Sequence, residues 1–186
     1  MNGQYTARAL PIVVIDNPAE RLTALFDAHY ARLYRLARRL APSTDDALDL
    51  VQETFLRAAQ SSKSIPAGVT REEAWLVRVL INIRRDQWRK RSVRLRLDKA
   101  ALGRSQLGSG GSDPEAALIA RTAVWQALDI LPPRRRAIVV MYELEGLAIP
   151  AIASLLGISA ITVRWHLSMV RRELTGALKA HLGGPQ

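Results

Sequence analysis

The sequence predicts an all-α protein built from two small helical domains that are joined by a flexible linker. Apolar residues recur at helical spacing on both sides of a Gly/Ser-rich segment, LGRSQLGSGGS at 102–112. The chain has 186 residues, which is enough for two small domains. The predicted boundaries are a lead-in at 1–20, a first domain at 21–98, a linker at 99–112 and a second domain at 113–182.

Composition limits the classes of function. The 27 Lys and Arg residues outnumber the 17 Asp and Glu residues, and the net charge of +10 favours nucleic acid or an anionic membrane surface as partner. No apolar run approaches the ~20 residues of a membrane-spanning helix, so we expect no membrane insertion. The absence of cysteine suits the cytoplasm. Since metal, nucleophile and phosphate-loop motifs are missing, we expect no enzyme, no metal site and no cofactor.

The first domain begins with two helices. The apolar stripe of the first runs from Leu22 to Leu40. The second starts after Ser43, whose spacing to Asp46 is that of a capping box with Asp in place of Glu. Its predicted core positions are Leu48, Val51, Phe55 and Ala59.

The second helix also carries an acidic, amphipathic stripe, which is unexpected in so basic a protein. The members of the stripe recur at i, i+3, i+4 and i+7 and are Asp49, Gln52, Glu53 and Leu56. One interpretation is a solvated face, because charged stripes on helices are commonly just that. The other is a protein-binding face that stays acidic while the rest of the molecule meets DNA.

After a polar loop, a third helix is predicted at 71–91 and turns strongly basic. In 84–99, eight basic residues stand against two acidic ones. Clustered Lys and Arg bind phosphate, and Asn82, Gln87 and Trp88 belong to residue types that contact bases, especially unstacked ones. The alternative is a solubilising end of a helix, because charge runs are commonly only solvated.

The second domain opens at Asp113-Pro114, a predicted N-cap followed by proline at the first helical position. This helix stops at Leu131, before two prolines. A further helix at 134–144 leads into the last part of the domain.

That last part, 146–174, has the pattern of a helix-turn-helix. An apolar stripe ends at a break at Gly157, and Ser159 follows as the predicted N-cap of a second helix. The buried face of that helix is predicted to hold Val163, Leu167, Val170 and Leu174. The opposite face holds Arg164, Trp165, Ser168, Arg171 and Arg172. A basic face over an apolar seam suits the major groove of DNA, whereas the alternative is an ordinary helical hairpin with solvated arginines.

Three motifs, in this order, carry a family resemblance. They are DALDLVQETFLRA at 46–58, AWLVRVLINIRRDQWRKR at 74–91, and LPPRRRAIVVMYELEGL at 131–147, which is followed by LGIS, TVR and VRREL. Between Leu22 and Leu174 the chain therefore resembles a bacterial RNA polymerase sigma factor of the extracytoplasmic-function (ECF) type, in which only regions 2 and 4 are present.

The resemblance implies an alternative sigma factor that binds RNA polymerase core and directs promoter-specific initiation. Region 2 would recognise and melt the −10 element, and region 4 would read the −35 element. The residues implied for docking on the clamp helices of the largest polymerase subunit are Asp49, Gln52, Glu53 and Leu56. Those implied for the −10 element are Ser64, Asn82, Arg85, Trp88 and Arg89. Those implied for the −35 element are Ser159, Arg164, Trp165, Ser168, Arg171 and Arg172. The flap of the second-largest subunit and an anti-sigma factor are the other implied partners.

The sequence departs from the family pattern in two places. At 148–150 it has Ala-Ile-Pro where a Ser or Thr cap and acidic residues are usual, which predicts a helix start without a side-chain cap. Trp165 and His166 stand where Ser-Arg is common, so the −35 preference is expected to differ. Two other functions fit part of the sequence. A stand-alone helix-turn-helix regulator leaves the acidic stripe unused, and a peripheral membrane protein explains only 84–99.

Overall fold

The computed structural model describes residues 17–101, 128 and 130–182, and this part of the chain contains helices and no β-strand. Six α-helices follow one another in it: α1 (Pro18–Leu40), α2 (Thr44–Gln60), α3 (Val69–Ala101), α4 (Pro133–Val139), α5 (Ile149–Leu156) and α6 (Ala160–Leu182). A 3₁₀ turn precedes α3, and a π-helical turn at Val140–Leu144 continues α4. The all-α prediction is confirmed.

Side-chain caps set the starts of the first two helices. α1 begins at Pro18, inside the predicted lead-in, because the side chain of Asn17 accepts a hydrogen bond from the backbone N–H of Ala19 at 3.0 Å. Proline is tolerated at this first helical position, because the backbone N–H that it lacks would have no hydrogen-bond partner within the helix. Ser43 Oγ accepts from the N–H of Asp46 at 3.0 Å and donates to its carboxylate at 2.6 Å, as the sequence indicated.

α3 is longer than predicted. It extends beyond 71–91 at both ends and passes the predicted start of the linker at 99. Neither proline nor glycine occurs between Val69 and Ala101, and Arg, Lys and Leu favour helices, so nothing local stops it. The predicted linker residues at 102–112, and all of the predicted helix from 113 to 131 except Leu128, Ile130 and Leu131, lie outside the described residues.

One buried core connects all six helices. In α2 the buried face is rotated about the helix axis relative to the predicted face. Leu50 and Ala58 are fully buried, whereas Leu48 is half-buried and Ala59 is exposed. The reason is that α2 packs against both α1 and α3 and therefore buries a wider face than a single stripe.

The two predicted domains also contact each other. α4 packs on α1 and α3, and α5 packs on α3. No local pattern predicts this contact, because it joins residues more than 100 positions apart, such as Arg32 and Glu145.

Among the described residues, no single helix is both long and apolar enough to cross a bilayer. α5 together with Ala160–Thr175 of α6 meets that test by length and composition, but the two helices are bent by 106° at the turn between them.

Candidate functional site

The acidic stripe of α2 forms one wall of a cleft. Asp49, Gln52 and Leu56 are exposed and Glu53 is partly exposed, and all four line a space of about 670 Å³ between α2 and α3. The Glu53 carboxylate accepts a hydrogen bond from Arg57 Nε at 3.0 Å, one turn further along the helix. Because Arg57 also lines the cleft, this ion pair keeps the Glu53 carboxylate at the cleft wall.

The opposite wall belongs to α3 and was missed by sequence reasoning. It is formed by Ile83, Asp86, Gln87 and Lys90. These residues have the same i, i+3, i+4, i+7 spacing as the α2 stripe, which is the signal that could have revealed them. Gln87, grouped above with the base-contacting residue types, lines this cleft instead of the basic face, because at about 100° per residue it lies well round the helix from Asn82.

The cleft combines an apolar floor with a charged rim. Ile83 is buried at its base, while the Leu56 side chain is 53% exposed and stands at its edge. Asp49, Glu53 and Asp86 place carboxylates on both walls, and Lys90 and the Glu53-paired Arg57 add two positive charges, so the lining keeps a net charge of −1. Such an arrangement fits a protein segment that brings basic side chains around an apolar contact. Within the described residues, no group of His, Asp or Glu is placed to hold a metal ion.

A second face of α3, next to the cleft, is basic. Asn82 and Arg89 are exposed and Arg85 is partly exposed, and the helical period places these three side chains together. Arg85 Nε is buried and lies 3.8 Å from the Asp86 carboxylate, within ion-pair distance but beyond hydrogen-bond distance, while the Arg85 side chain as a whole is 43% exposed. Trp88 is half-buried and lies to one side of this group.

Ser64 is separate from the other residues predicted for the −10 element. It lies exposed on the 3₁₀ turn Ser62–Ser64, whose backbone is closed by a hydrogen bond from the Ser64 N–H to the Ser61 carbonyl at 2.8 Å. The turn connects α2 to α3, and no described contact joins the side chain of Ser64 to the basic face.

The helix-turn-helix has the predicted local construction. α5 ends at Leu156, and the next residue, Gly157, adopts the left-handed conformation (φ 64°) that favours glycine. Ser159 Oγ accepts a hydrogen bond from the N–H of Thr162 at 3.1 Å and so caps α6. Ala148 precedes α5 without a side-chain cap, in agreement with the departure noted in the sequence.

The outer face of α6 is exposed as predicted. The buried seam contains Val163, Leu167 and Val170, whereas Leu174, also predicted to be buried, is only partly buried against the same core. The exposed side chains are Ser159, Arg164, Trp165, Ser168, Arg171 and Arg172. Two serines are already engaged locally: Ser159 caps the helix, and Ser168 Oγ donates to the Trp165 carbonyl at 2.8 Å.

The indole of Trp165 is held from the side by α4. Its side chain is 50% exposed, and the guanidinium of Arg135 lies 5.7 Å from the ring centroid, within cation–π distance. Arg135 is itself paired with Glu173 of α6. His166 packs edge-on against the indole, and burial, together with the positive charges of Arg135 and Arg134, lowers the pKa of His166. The positive charge of the exposed face of α6 therefore comes from its arginines.

Comparison with family models gives two matches, to sigma-70 region 2 at residues 25–94 and to sigma-70 region 4 at 121–174. Among curated relatives, the ECF RNA polymerase sigma factor SigE of Mycolicibacterium smegmatis is 36% identical over 158 residues, which cover 82% of this chain and 60% of the relative. SigL of Mycobacterium tuberculosis is 33% identical over 157 residues, covering 84% of this chain and 88% of the relative. SigW of Bacillus subtilis is 26% identical, with coverages of 83% and 87%.

Two solved structures share the fold. One is CnrH in complex with the cytosolic domain of CnrY, with a TM-score of 0.56 and 24% identity, covering 87% of this chain and 90% of the other. The other is the sigma factor RpoE in complex with the anti-sigma factor NepR from Bartonella quintana, with a TM-score of 0.55 and 24% identity, covering 87% and 96%.

Proposed function

Because this chain belongs to the ECF family of RNA polymerase sigma factors, and is thereby an alternative sigma factor, we propose that its two family-matched parts divide promoter recognition between them. The part with α1–α3 docks on polymerase core through the cleft and binds the −10 element through the basic face of α3. The part with α4–α6 reads the −35 element through the exposed face of α6. The observation that carries the proposal is the acidic cleft, which a protein that binds only DNA does not need.

The polymerase surface that we propose for the cleft is the pair of clamp helices of the largest subunit. A charged rim around an apolar floor suits a helical partner, because the floor supplies contact area and the rim fixes register. We assign the flap of the second-largest subunit to the part with α4–α6, following the family resemblance.

The −10 element would be held partly as single strand. Arg85 and Arg89 supply positive charge for phosphates, while Asn82 and Trp88 supply an amide and an aromatic ring for exposed bases. Unstacking a base costs a few kcal/mol, which a basic face beside the polymerase contact can offset. Ser64 on the adjoining turn is the proposed contact to a base that has left the stack.

We further propose that an anti-sigma factor binds this protein in the cytoplasm, where polymerase acts. One structural neighbour, RpoE, was solved with the anti-sigma factor NepR. The other, CnrH, was solved with the cytosolic domain of CnrY. The chain is not expected to catalyse a reaction, since its family consists of transcription factors.

Run-off transcription with purified core polymerase, on the promoter region of the protein's own gene, tests the proposal. The Asp49→Lys/Glu53→Lys variant is expected to lose all transcripts that depend on this protein, because it reverses the charge of one cleft wall. The matched control is Asp27→Lys/Glu143→Lys, which makes the same charge change at two exposed residues outside the cleft and should transcribe normally.

Duplex binding completes the experiment. The cleft variant should bind a duplex −35 probe as well as the wild type does, because α6 is unchanged. If instead the wild type binds specific duplex tightly without core and never yields transcripts, the protein is a stand-alone regulator and the cleft is only a solvated surface.

A further inference from the structure

Two large apolar side chains are exposed near the start of α6. Ile161 is 74% exposed, more than any other large apolar side chain that the structure describes, and Trp165 is 50% exposed. Single exposed apolar residues are common on protein surfaces and need no explanation. These two are four positions apart on one helix, so they share a face, and it is the face assigned above to the −35 element. Ile161 is not among the residues that the family resemblance implies for DNA.

The hydroxyl groups around this apolar pair already have partners within α6. Ser159 Oγ accepts from the N–H of Thr162 at 3.1 Å and lies 2.8 Å from Thr162 Oγ1, so the two hydroxyls are hydrogen-bonded to each other. Ser168 Oγ donates to the Trp165 carbonyl at 2.8 Å. The most accessible uncharged groups on the first turns of α6 are therefore the two apolar side chains, with the exposed Arg164 beside them.

Contacts from α4 and α6 hold the indole of Trp165 in one orientation. The Arg135 guanidinium lies 5.7 Å from the ring centroid and is itself paired with the Glu173 carboxylate. His166 packs edge-on, with its centroid 4.9 Å from that of the indole. Burial, followed by the charges of Arg135 and Arg134, lowers the pKa of His166, which is therefore uncharged at neutral pH. A ring that is already held in place loses little conformational freedom when a ligand binds.

The major groove of DNA offers one apolar group that matches this surface. Each base pair presents hydrogen-bond donors and acceptors at its edge there, and thymine adds a 5-methyl group, which apolar side chains contact. The exposed arginines of the same helix supply positive charge for phosphates, and they are Arg164, Arg171 and Arg172. An apolar contact framed by cations is complementary to a methyl group that lies between two anionic backbones.

The spacing of the apolar pair suits two thymines that are close together. Four residues of α-helix rise about 6 Å, and base pairs two steps apart are separated by about 6.8 Å. We propose that Ile161 and Trp165 each contact the 5-methyl group of one thymine in the −35 element, at base pairs about two steps apart, and that Arg135 positions the indole for this contact. The inference rests on the proposed function and adds to it the base that the start of α6 selects.

Removal of single methyl groups from DNA tests the inference. Holoenzyme assembled from core polymerase and the full-length protein first selects its preferred −35 sequence from a randomised duplex library, and thymine should be enriched at two positions about two steps apart. Replacing one of these thymines by deoxyuridine deletes only the methyl group. Each replacement should weaken binding roughly fourfold, because one methyl group is no longer buried. The ratio should not change with salt concentration, since no phosphate contact is lost.

Two variants assign each methyl group to one side chain. Trp165→Ala should abolish the effect of deoxyuridine at one position and Ile161→Ala at the other, and each variant should keep the effect at the position that it does not contact. Circular dichroism should show unchanged helix content, because both side chains are exposed. Val93→Ala, which truncates an exposed apolar side chain of α3, is the matched control and should keep both effects. In the wild type, 5-methylcytosine should bind better than cytosine at either position.

Substitutions of Arg135 test the positioning of the indole. Arg135→Gln removes the cation, and it should reduce the deoxyuridine effect at the Trp165 position to about twofold or less while leaving the Ile161 position unchanged. Arg135→Lys keeps a cation beside the ring and should retain most of the effect. A merely structural role of Arg135 would instead lower the affinity for thymine and deoxyuridine duplexes alike.

The inference is overturned if the wild type binds thymine and deoxyuridine duplexes equally, or if the deoxyuridine effects survive in Trp165→Ala and Ile161→Ala. It is also overturned if guanine is selected at both positions and 7-deazaguanine weakens binding, because the indole N–H then donates to a base acceptor. Unaltered DNA affinity in both variants would assign the pair to a contact other than DNA. Failure of the proposed function would appear differently, as holoenzyme that selects no −35 sequence and yields no transcripts.

Discussion

α2 and α6 each expose polar side chains along one face, but they differ in what lies opposite. The acidic face of α2 is met by α3 across a cleft with an apolar floor. The basic face of α6 is exposed, and Arg135 of α4 approaches its Trp165 from the side. The major groove of DNA supplies its own two walls, about 12 Å apart, so one helix is enough to enter it. A protein segment brings no such walls, and a cleft between two helices lets the receptor contact it from two sides.

The far wall of the cleft provides the strongest test of this contrast. Asp86→Lys reverses a half-exposed carboxylate on α3 and places its ammonium opposite the basic partner that we propose. Core polymerase should bind roughly 30-fold more weakly, because like charges across an interface are costly. Competition binding with labelled wild-type protein measures the effect, with Asp27→Lys on α1 as the control. Unchanged affinity would mean that α2 binds without the help of α3.

Along the exposed face of α6, the kind of DNA contact should change with position in the helix. Residues near the start of a recognition helix contact base edges, and those about two turns later reach phosphates. Trp165→Ala should therefore weaken binding to the preferred duplex roughly tenfold and relax preference at one base pair, without changing the salt dependence.

Arg172→Ala is the matched variant on the same face. It should lower affinity for all sequences alike and reduce the slope of log K against log salt concentration by about 1. Fluorescence anisotropy on a set of single-base-pair variants at several salt concentrations separates the two effects. The division along the helix is contradicted if Trp165→Ala weakens all duplexes equally.

Local features were the ones that the sequence predicted well. The break at Gly157, the cap at Ser159 and the apolar seam of α6 depend on residues within a few positions of one another, and all three are confirmed. The exposure of the α2 stripe also followed from its period. Each of these features can be recognised before the tertiary arrangement is known.

Features that depend on distant packing were missed. The α3 wall of the cleft has the same spacing as the α2 stripe, but the side of α3 that meets α2 depends on how both helices pack with α1. Leu50 replaced Leu48 in the core for the same reason. The contact of Glu145 with Arg32 joins residues of opposite charge, and a chain with 27 basic residues offers many equivalent pairings. Nothing local distinguishes the correct one.

The serine caps allow α2 and α6 to be compared at their starts. Ser43→Ala and Ser159→Ala should each lower the free energy of unfolding by about 1 kcal/mol, because each removes the acceptor for one orphan N–H. Ser159→Thr keeps an acceptor and should retain most of the stability. Urea denaturation measures the changes. If Ser159→Thr also retains wild-type affinity for the −35 duplex, Ser159 acts through the cap, whereas a large loss of affinity would assign it a direct contact to DNA.

The smallest effect concerns His166, which lies beside the exposed face of α6 without adding to its charge. Burial lowers its pKa, and Arg135 and then Arg134 lower it further. In the unfolded chain His166 titrates near its ordinary pKa of about 6.5, so between that value and the lower folded one the unfolded state binds more protons. The free energy of unfolding should therefore contain a contribution from His166 that is complete above about pH 7 and is lost as pH falls through the folded pKa.

Titration by NMR should give a midpoint for His166 below 6.5, and Arg135→Ala should raise that midpoint more than Arg134→Ala does. A midpoint at or above 6.5 in the wild type would mean that His166 carries charge at the recognition face, and then binding of the −35 duplex should strengthen as pH falls from 7.5 to 6.5, instead of staying constant as this structure predicts.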